Sequence, residues 1–105
     1  MFTLINGQGF QLSFHNGYTL SIMFGHGNYC DNYTLPITSY DSVRRFSRIN
    51  CINAEVAIID PNNGMCTEHV WPMVFNENLG DSIATKVTME QVCALIAYLN
   101  MEESL

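Results

Sequence analysis

The chemistry that the sequence offers is concentrated in three arginines. Arg44, Arg45 and Arg48 are three of the four basic residues in a chain whose net charge is −6. A guanidinium group presents a planar fork of N–H donors that matches the oxygens of a phosphate or a carboxylate. Because Arg44 and Arg48 are four residues apart, they would share one face of a helix. The cluster therefore predicts a binding site for a small anion.

A structural role is the alternative for these arginines. Acidic side chains would then pair with the guanidinium groups and hold the loop in place, and no charge would be left for a ligand. The acidic residues available for such ion pairs are Asp31, Asp41, Glu55 and Glu68.

A turn with two glycines precedes the arginines. In Gly25-His26-Gly27-Asn28, the glycines permit a tight bend whose backbone N–H groups can form a concave anion site. The spacing fits neither G-x-x-x-x-G-K-[ST] nor G-x-G-x-x-G, so a plain turn at the end of a strand is the alternative.

Tyrosine rings lie in the same stretch of the chain. They can stack on a nucleobase or another flat ring, although tyrosines also commonly do no more than cover a sheet. Glycines, tyrosines and arginines so close together predict a pocket for a small phosphorylated aromatic molecule. The predicted ligand-binding residues are Arg44, Arg45, Arg48, His26, Gly27, Asn28, Tyr29, Tyr33 and Tyr40.

The residues that catalysis or a metal site would need are scattered. His15, His26 and His69 show no H-E-x-x-H or comparable spacing, and the sequence contains neither a serine elbow nor paired catalytic carboxylates. Cys30 and His26 are the one close cysteine–histidine pair. We therefore expect no enzymatic activity, no metal and no cofactor.

Length and composition favour a single domain over residues 1–105, with 48% hydrophobic and only 13% charged residues. The acidic charge argues against long nucleic acids and anionic membranes as partners, because like charges repel. No signal-peptide or membrane-spanning pattern is visible, and the cysteines form no C-x-x-C motif. We expect reduced thiols in a cytoplasmic protein.

Alternating apolar residues predict a β-hairpin over residues 10–24. A two-residue loop would put the apolar residues of the two strands on opposite faces of the sheet. A three-residue loop, 15–17, pairs Leu12 with Leu20 and keeps all of the large side chains on one face. Gly17 then takes the left-handed position of a turn with a G1 bulge.

Further strands are predicted on both sides of this hairpin. Residues 2–5 predict a short first strand, and residues 51–60 and 65–71 predict a second hairpin around the turn 61–64. Pro72 is predicted to end the pairing.

A C-terminal helix is predicted to begin after Thr88, which has the capping-box spacing with Gln91, and residues 76–87 are interpreted as a connection. Residues 92–99 are apolar without a break, so either the sheet wraps the helix or a second subunit covers it. The expected fold class is α+β, an antiparallel sheet of four or five strands with the C-terminal helix packed on one face. The expected homo-oligomer forms through that helix.

The stretch GFQLSFHNGYTLSIMFGHGNYCDN resembles a group of small proteins of tailed bacteriophages. That group shows a similar opening, G-F-x-φ-x-F-x-N-G-(W/Y)-T-φ-S, followed by F-G-x-G-N-Y-C and a later A-E-V-A strand, which residues 54–57 match. The similarity covers residues 9–60 and implies an origin, not a mechanism. It also implies a shared motif made of Gly25, Gly27, Asn28, Tyr29 and Cys30.

A phage origin implies a role in the infected cell. Small acidic phage proteins without enzyme motifs often act in the host cytoplasm against host defences. The leading hypothesis is a protein that sequesters a nucleotide-derived signalling molecule, with the arginines on its phosphates and the tyrosines on its base. The alternatives are a protein–protein inhibitor of a host defence protein and a minor virion or assembly component.

Overall fold

The computed structural model describes residues 1–5, 8–24 and 51–101. Its elements, in chain order, are β1 (Phe2–Ile5), β2 (Gly9–Ser13), β3 (Thr19–Met23), β4 (Ala54–Ile59), α1 (Thr67–Phe75), β5 (Ala84–Val87) and α2 (Met89–Met101). The strands form one antiparallel sheet in the order β1-β2-β3-β4-β5. The predicted α+β class is confirmed. In these ranges, neither helix has the length and apolarity that crossing a bilayer requires.

The first hairpin has the predicted three-residue loop. Leu12 lies opposite Leu20, and the backbone N–H of Phe14 donates to the carbonyl oxygen of Tyr18 at 2.8 Å. Gly17 has a φ of +94°, in the left-handed region that glycine tolerates without steric cost. The large side chains of both strands therefore lie on one face, as the alternation requires. The predicted first strand is present as β1, and it pairs with β2.

One face of the sheet carries the core. Leu20 lies opposite Ile58 and Ile22 lies opposite Val56 across the two central strands, and all four side chains are buried. Both helices contribute to the same buried cluster, through residues such as Trp71, Leu95 and Leu99. Each large apolar side chain buried in this way stabilises the fold by about 1.5 to 3 kcal/mol.

The return strand predicted over residues 65–71 is wrong. Met65 forms only an isolated bridge with Ile59, and the chain then enters α1. The helix side chains that are buried or packed against the core include those at positions 67, 70, 71, 74 and 75, which is the i, i+3, i+4, i+7, i+8 spacing of a helix face. Pro72, predicted to end a strand, lies inside the helix. A strand that ended at Pro72 would not include Val74 and Phe75, which also pack against the core.

The start of α1 closes an open edge of β4. β5 pairs with the first half of β4 only, so the backbone of Ile58 needs another partner. Its N–H donates to Oγ1 of Thr67, and its carbonyl oxygen accepts from the N–H of Cys66, both at 2.8 Å. Thr67 is fully buried. Its hydroxyl therefore satisfies a backbone donor that would otherwise be buried without a hydrogen bond.

The stretch 76–87, predicted to be a connection, contains the strand β5. Two residues of β5, at positions 85 and 86, face the single residue Glu55 between the pairs Ala54–Val87 and Val56–Ala84, which is a β-bulge. Lys86 has a φ of +53° at this bulge. A strand of four residues with a bulge shows no regular alternation, so the sequence pattern gave no signal for it.

Helix α2 begins with the predicted capping box. The N–H of Thr88 donates to Oε1 of Gln91 at 2.9 Å, and the N–H of Gln91 donates to Oγ1 of Thr88 at 3.2 Å. Near its other end, the carbonyl oxygen of Leu99 accepts from Nδ2 of Asn16 at 2.8 Å. The hairpin loop therefore ties the end of α2 to the sheet.

The left-handed backbone at Gly17 leads to a stability prediction. Gly17→Ala puts a Cβ in a region that costs an L-residue about 1 to 2 kcal/mol, and that Cβ would meet the Pro61 ring at 3.0 Å. We expect the free energy of unfolding in urea to fall by about this amount. Gly80→Ala is the matched control, since nothing lies within 4 Å of the position that a Cβ would take there. An equal loss for both variants would contradict the assignment.

The hydroxyl of Thr67 leads to a second prediction. Thr67→Val keeps the shape but leaves the buried N–H of Ile58 unsatisfied, which costs about 1 to 3 kcal/mol. We expect faster amide hydrogen exchange at Ile58, measured by NMR, together with the loss of stability. Thr67→Ser retains the acceptor and should retain the protection of that amide. Unchanged exchange in the valine variant would show that the hydrogen bond contributes little.

Candidate functional site

An apolar cavity of about 200 Å³ lies where β3 ends and β4 begins. Its floor is the core face of the sheet, and its wall is the first turns of α2. Phe24, which follows β3, and Cys51, which precedes β4, both line the cavity. The described residues that line the cavity are Phe10, Ile22, Phe24, Cys51, Ile52, Asn53, Ala54, Val87, Met89 and Val92.

The cavity is suited to a flat or bulky apolar group. Phenyl rings and aliphatic side chains make up most of its described lining, and Asn53 is the residue among them that carries an amide. Two apolar side chains at the cavity are largely exposed, Ile52 at 76% and Met89 at 70%. An apolar cavity of about 150 Å³ is enough to bind benzene. This one therefore has room for an aromatic ring.

The capping box of α2 determines one wall of the cavity. Thr88 and Gln91 start the helix at a defined residue, and this places Met89 and Val92 on the first turn beside the cavity. The bulge in β5 places Val87 opposite Ala54 immediately before that turn. The floor of the cavity is formed by side chains such as Phe10 and Ile22, which lie on the core face because apolar and polar residues alternate along β2 and β3.

The nine predicted ligand-binding residues lie outside the described residues. All of them belong to the segment 25–50, between the end of β3 and the start of β4. The hypothesis of an arginine and tyrosine pocket therefore stays a prediction. The structure adds that Phe24 and Cys51, the described residues on either side of this segment, both line the cavity.

Sequence reasoning missed the cavity residues. The strand pattern predicts that Phe24 and Ile22 face the core, with nothing to indicate an open space above them. The uninterrupted apolar run at residues 92–99 did indicate an additional apolar surface on this helix. A helix that packs on a core with one face needs only a stripe of apolar residues, and this run is wider than such a stripe. Val92, at the start of that run, lines the cavity, whereas Cys93 and Ala97 are exposed on the far side of α2.

The described cysteines differ in environment. Cys51 is partly exposed at the cavity, Cys93 is exposed on α2 and Cys66 is buried at the start of α1. Burial, and secondarily the negative charge of Asp60, raises the pKa of the Cys66 thiol to about 11. Cys66 is therefore a protonated core residue at neutral pH and not a nucleophile.

Comparison with family models, with curated proteins and with solved structures finds no match to this chain. Within residues 1–5, 8–24 and 51–101, no three histidine, cysteine or acidic side chains come together as a metal site would require. Any functional assignment therefore depends on the cavity and on the sequence of the segment next to it.

The pKa of Cys66 leads to a prediction of pH dependence. Because its pKa in the folded state, about 11, is above the ordinary value of 9.0, the thiol stabilises the fold fully below pH 9 and loses that contribution as the pH rises through 11. We expect the free energy of unfolding to fall between pH 9 and 11 more steeply than in Cys66→Ser. Parallel curves for the two proteins would show that the thiol does not titrate in this way.

Proposed function

We propose that this protein binds a small nucleotide-derived molecule and removes it from solution. Its flat ring occupies the apolar cavity beside α2, and its phosphates contact Arg44, Arg45 and Arg48. The observation that carries the proposal is that Phe24 and Cys51 both line the cavity, because these residues flank the segment that contains the arginines.

The distribution of charge supports this proposal. The segment 25–50 contains three arginines and two aspartates, so it carries a formal charge of +1. The rest of the chain carries eight acidic residues and one lysine, a formal charge of −7. A phosphorylated ligand would be repelled by most of this protein and attracted to that one segment. The proposal thus places the anionic part of the ligand on the segment and the ring in the cavity.

The resemblance to small phage proteins supplies the biological setting. Capture of a signalling nucleotide in the host cytoplasm would counter a host defence, and it requires binding without chemistry. The proposal accordingly includes no catalytic step and no cofactor.

A second function, inhibition of a host protein, is favoured by the acidity of the described surface. Exposed acidic side chains on it include Glu68, Glu77, Asp81 and Glu90, and Lys86 is the one lysine or arginine in the described ranges. Such a surface could dock on a basic protein patch. Substitutions of these acids would then abolish function, whereas arginine substitutions would not.

Calorimetry with matched variants tests the nucleotide proposal. Small molecules released by heating the purified protein are identified by mass spectrometry. In a second experiment, a panel of cyclic and linear nucleotides is titrated into protein from which any bound small molecule has been removed. Because a hydrogen bond to a charged group contributes about 1.5 to 3 kcal/mol, Arg44→Glu and Arg48→Glu should weaken binding at least about tenfold. Lys86→Glu changes the net charge equally but lies on β5, and it should leave the affinity unchanged.

The cavity has its own pair of variants. Val92→Phe fills the space beside the sheet and should abolish binding, whereas Ala97→Phe adds the same ring on the exposed side of α2 and should not. No released molecule and no heat with any nucleotide would overturn the proposal. Equal losses for Arg44→Glu and Lys86→Glu would indicate a general effect of charge instead of a site.

A further inference from the structure

The edge strand β1 leaves large apolar side chains uncovered. Phe2 is 76% exposed and Leu4 is 83% exposed, although they lie opposite Leu12 and Phe10 on the face that carries the core. Among the described residues, the buried core cluster contains members of β3, β4, β5 and both helices, but no residue of β1. Contiguous exposed apolar residues on a sheet edge indicate an interaction surface.

No strand of the described residues pairs with the outer side of β1. Met1 and Ser13 exchange both of their backbone hydrogen bonds, at 2.9 and 2.8 Å. In an antiparallel pair such hydrogen-bonded pairs alternate with non-hydrogen-bonded pairs, so Thr3 and Ile5 also direct their polar groups towards β2. The N–H and C=O groups of Phe2 and Leu4 therefore point outwards, away from the sheet.

This outward pattern is self-complementary. If two copies of β1 pair in an antiparallel manner about a twofold axis at Thr3, Phe2 of one copy lies opposite Leu4 of the other. Each such pair then exchanges both backbone hydrogen bonds, and the apolar side chains of the two copies meet on one face. A twofold axis makes the two halves of the interface identical, which is the commonest form of a homodimer.

The sequence of β1 contains neither of two residue types that protect sheet edges, a charged residue and a proline. In a protein of net charge −6, an uncharged edge is a place where two copies can approach without direct repulsion between facing side chains. A basic or acidic partner would find no complementary charge on this strand.

We propose that β1 pairs with β1 of a second copy of this chain, in the register centred on Thr3, to form a continuous ten-stranded sheet. The interface is distinct from the helix-mediated oligomer predicted from the sequence, because it is formed by β1 and not by α2. Since β1 is four residues long, the contact is smaller than a standard protein interface of about 1,600 Å². The dimer should therefore dissociate on dilution.

Cysteine cross-linking tests the register. In the proposed dimer the two Thr3 residues form a non-hydrogen-bonded pair, with Cα atoms about 4.5 Å apart, which a disulfide can bridge. Thr3→Cys, in a Cys93→Ser background that removes an exposed thiol, should give a disulfide-linked dimer under mild oxidation. Peptide mapping identifies the bridge between the introduced thiols. Gln11→Cys is the control, because Gln11 lies on β2, between β1 and β3, and should form no disulfide-linked dimer.

Sedimentation equilibrium tests the association without any cross-link. The mass of the unmodified protein should rise with concentration from 11.9 kDa towards twice that value, and more strongly at high salt, which screens the repulsion between acidic copies. Leu4→Lys should abolish this rise and leave the melting temperature unchanged, since the side chain is exposed. A monomer at all concentrations, or a dimer that survives Leu4→Lys and is lost in Ala97→Glu on α2, would overturn the proposal.

Discussion

The structure depends on the close pairing of β3 with β4. Leu20 against Ile58 and Ile22 against Val56 form the centre of the buried face, and side chains of both helices belong to the same buried cluster. The two strands are far apart in sequence. Their pairing brings the start of β4 next to the end of β3, and this juxtaposition creates one end of the molecule where Phe24 and Cys51 line the same cavity.

The core face of the sheet is not buried along its whole width. The proposed ligand site and the proposed dimer each use a part of this face that is not buried. Over β3, β4 and β5 the apolar residues are buried, but Phe2 and Leu4 on β1 are exposed. At the start of α2, residues of the helix and of the sheet line an apolar cavity. An incompletely covered core face is costly for a small domain that acts alone, so a ligand in the cavity and a second copy at the edge would each bury surface that the fold leaves open.

Local patterns predicted the elements whose signals are contained within a few residues. The hairpin loop follows from period-two alternation and from Gly17, and the start of α2 follows from Thr88 and Gln91. The patterns failed for α1, because Pro72 interrupts the sequence in the middle of a helical stripe, and for β5, because a bulge at Lys86 removes its alternation. Both failures concern the elements that pair with the edge of β4 facing away from β3. The backbone groups on that edge need hydrogen-bond partners only once the sheet has formed.

The sequence by itself determined which residues must be buried together on β2, β3 and α2, because side-chain periodicity and capping act over short distances along the chain. It also determined where the positive charge is concentrated, since composition needs no coordinates. Only the tertiary structure decided that the Thr67 hydroxyl accepts a hydrogen bond from the backbone N–H of Ile58, that a cavity lies beside Val92 and that β1 is an edge strand of the described sheet. Each of these depends on contacts between segments distant in sequence, and the free energy of such contacts is set by packing and hydrogen bonding, not by local propensity.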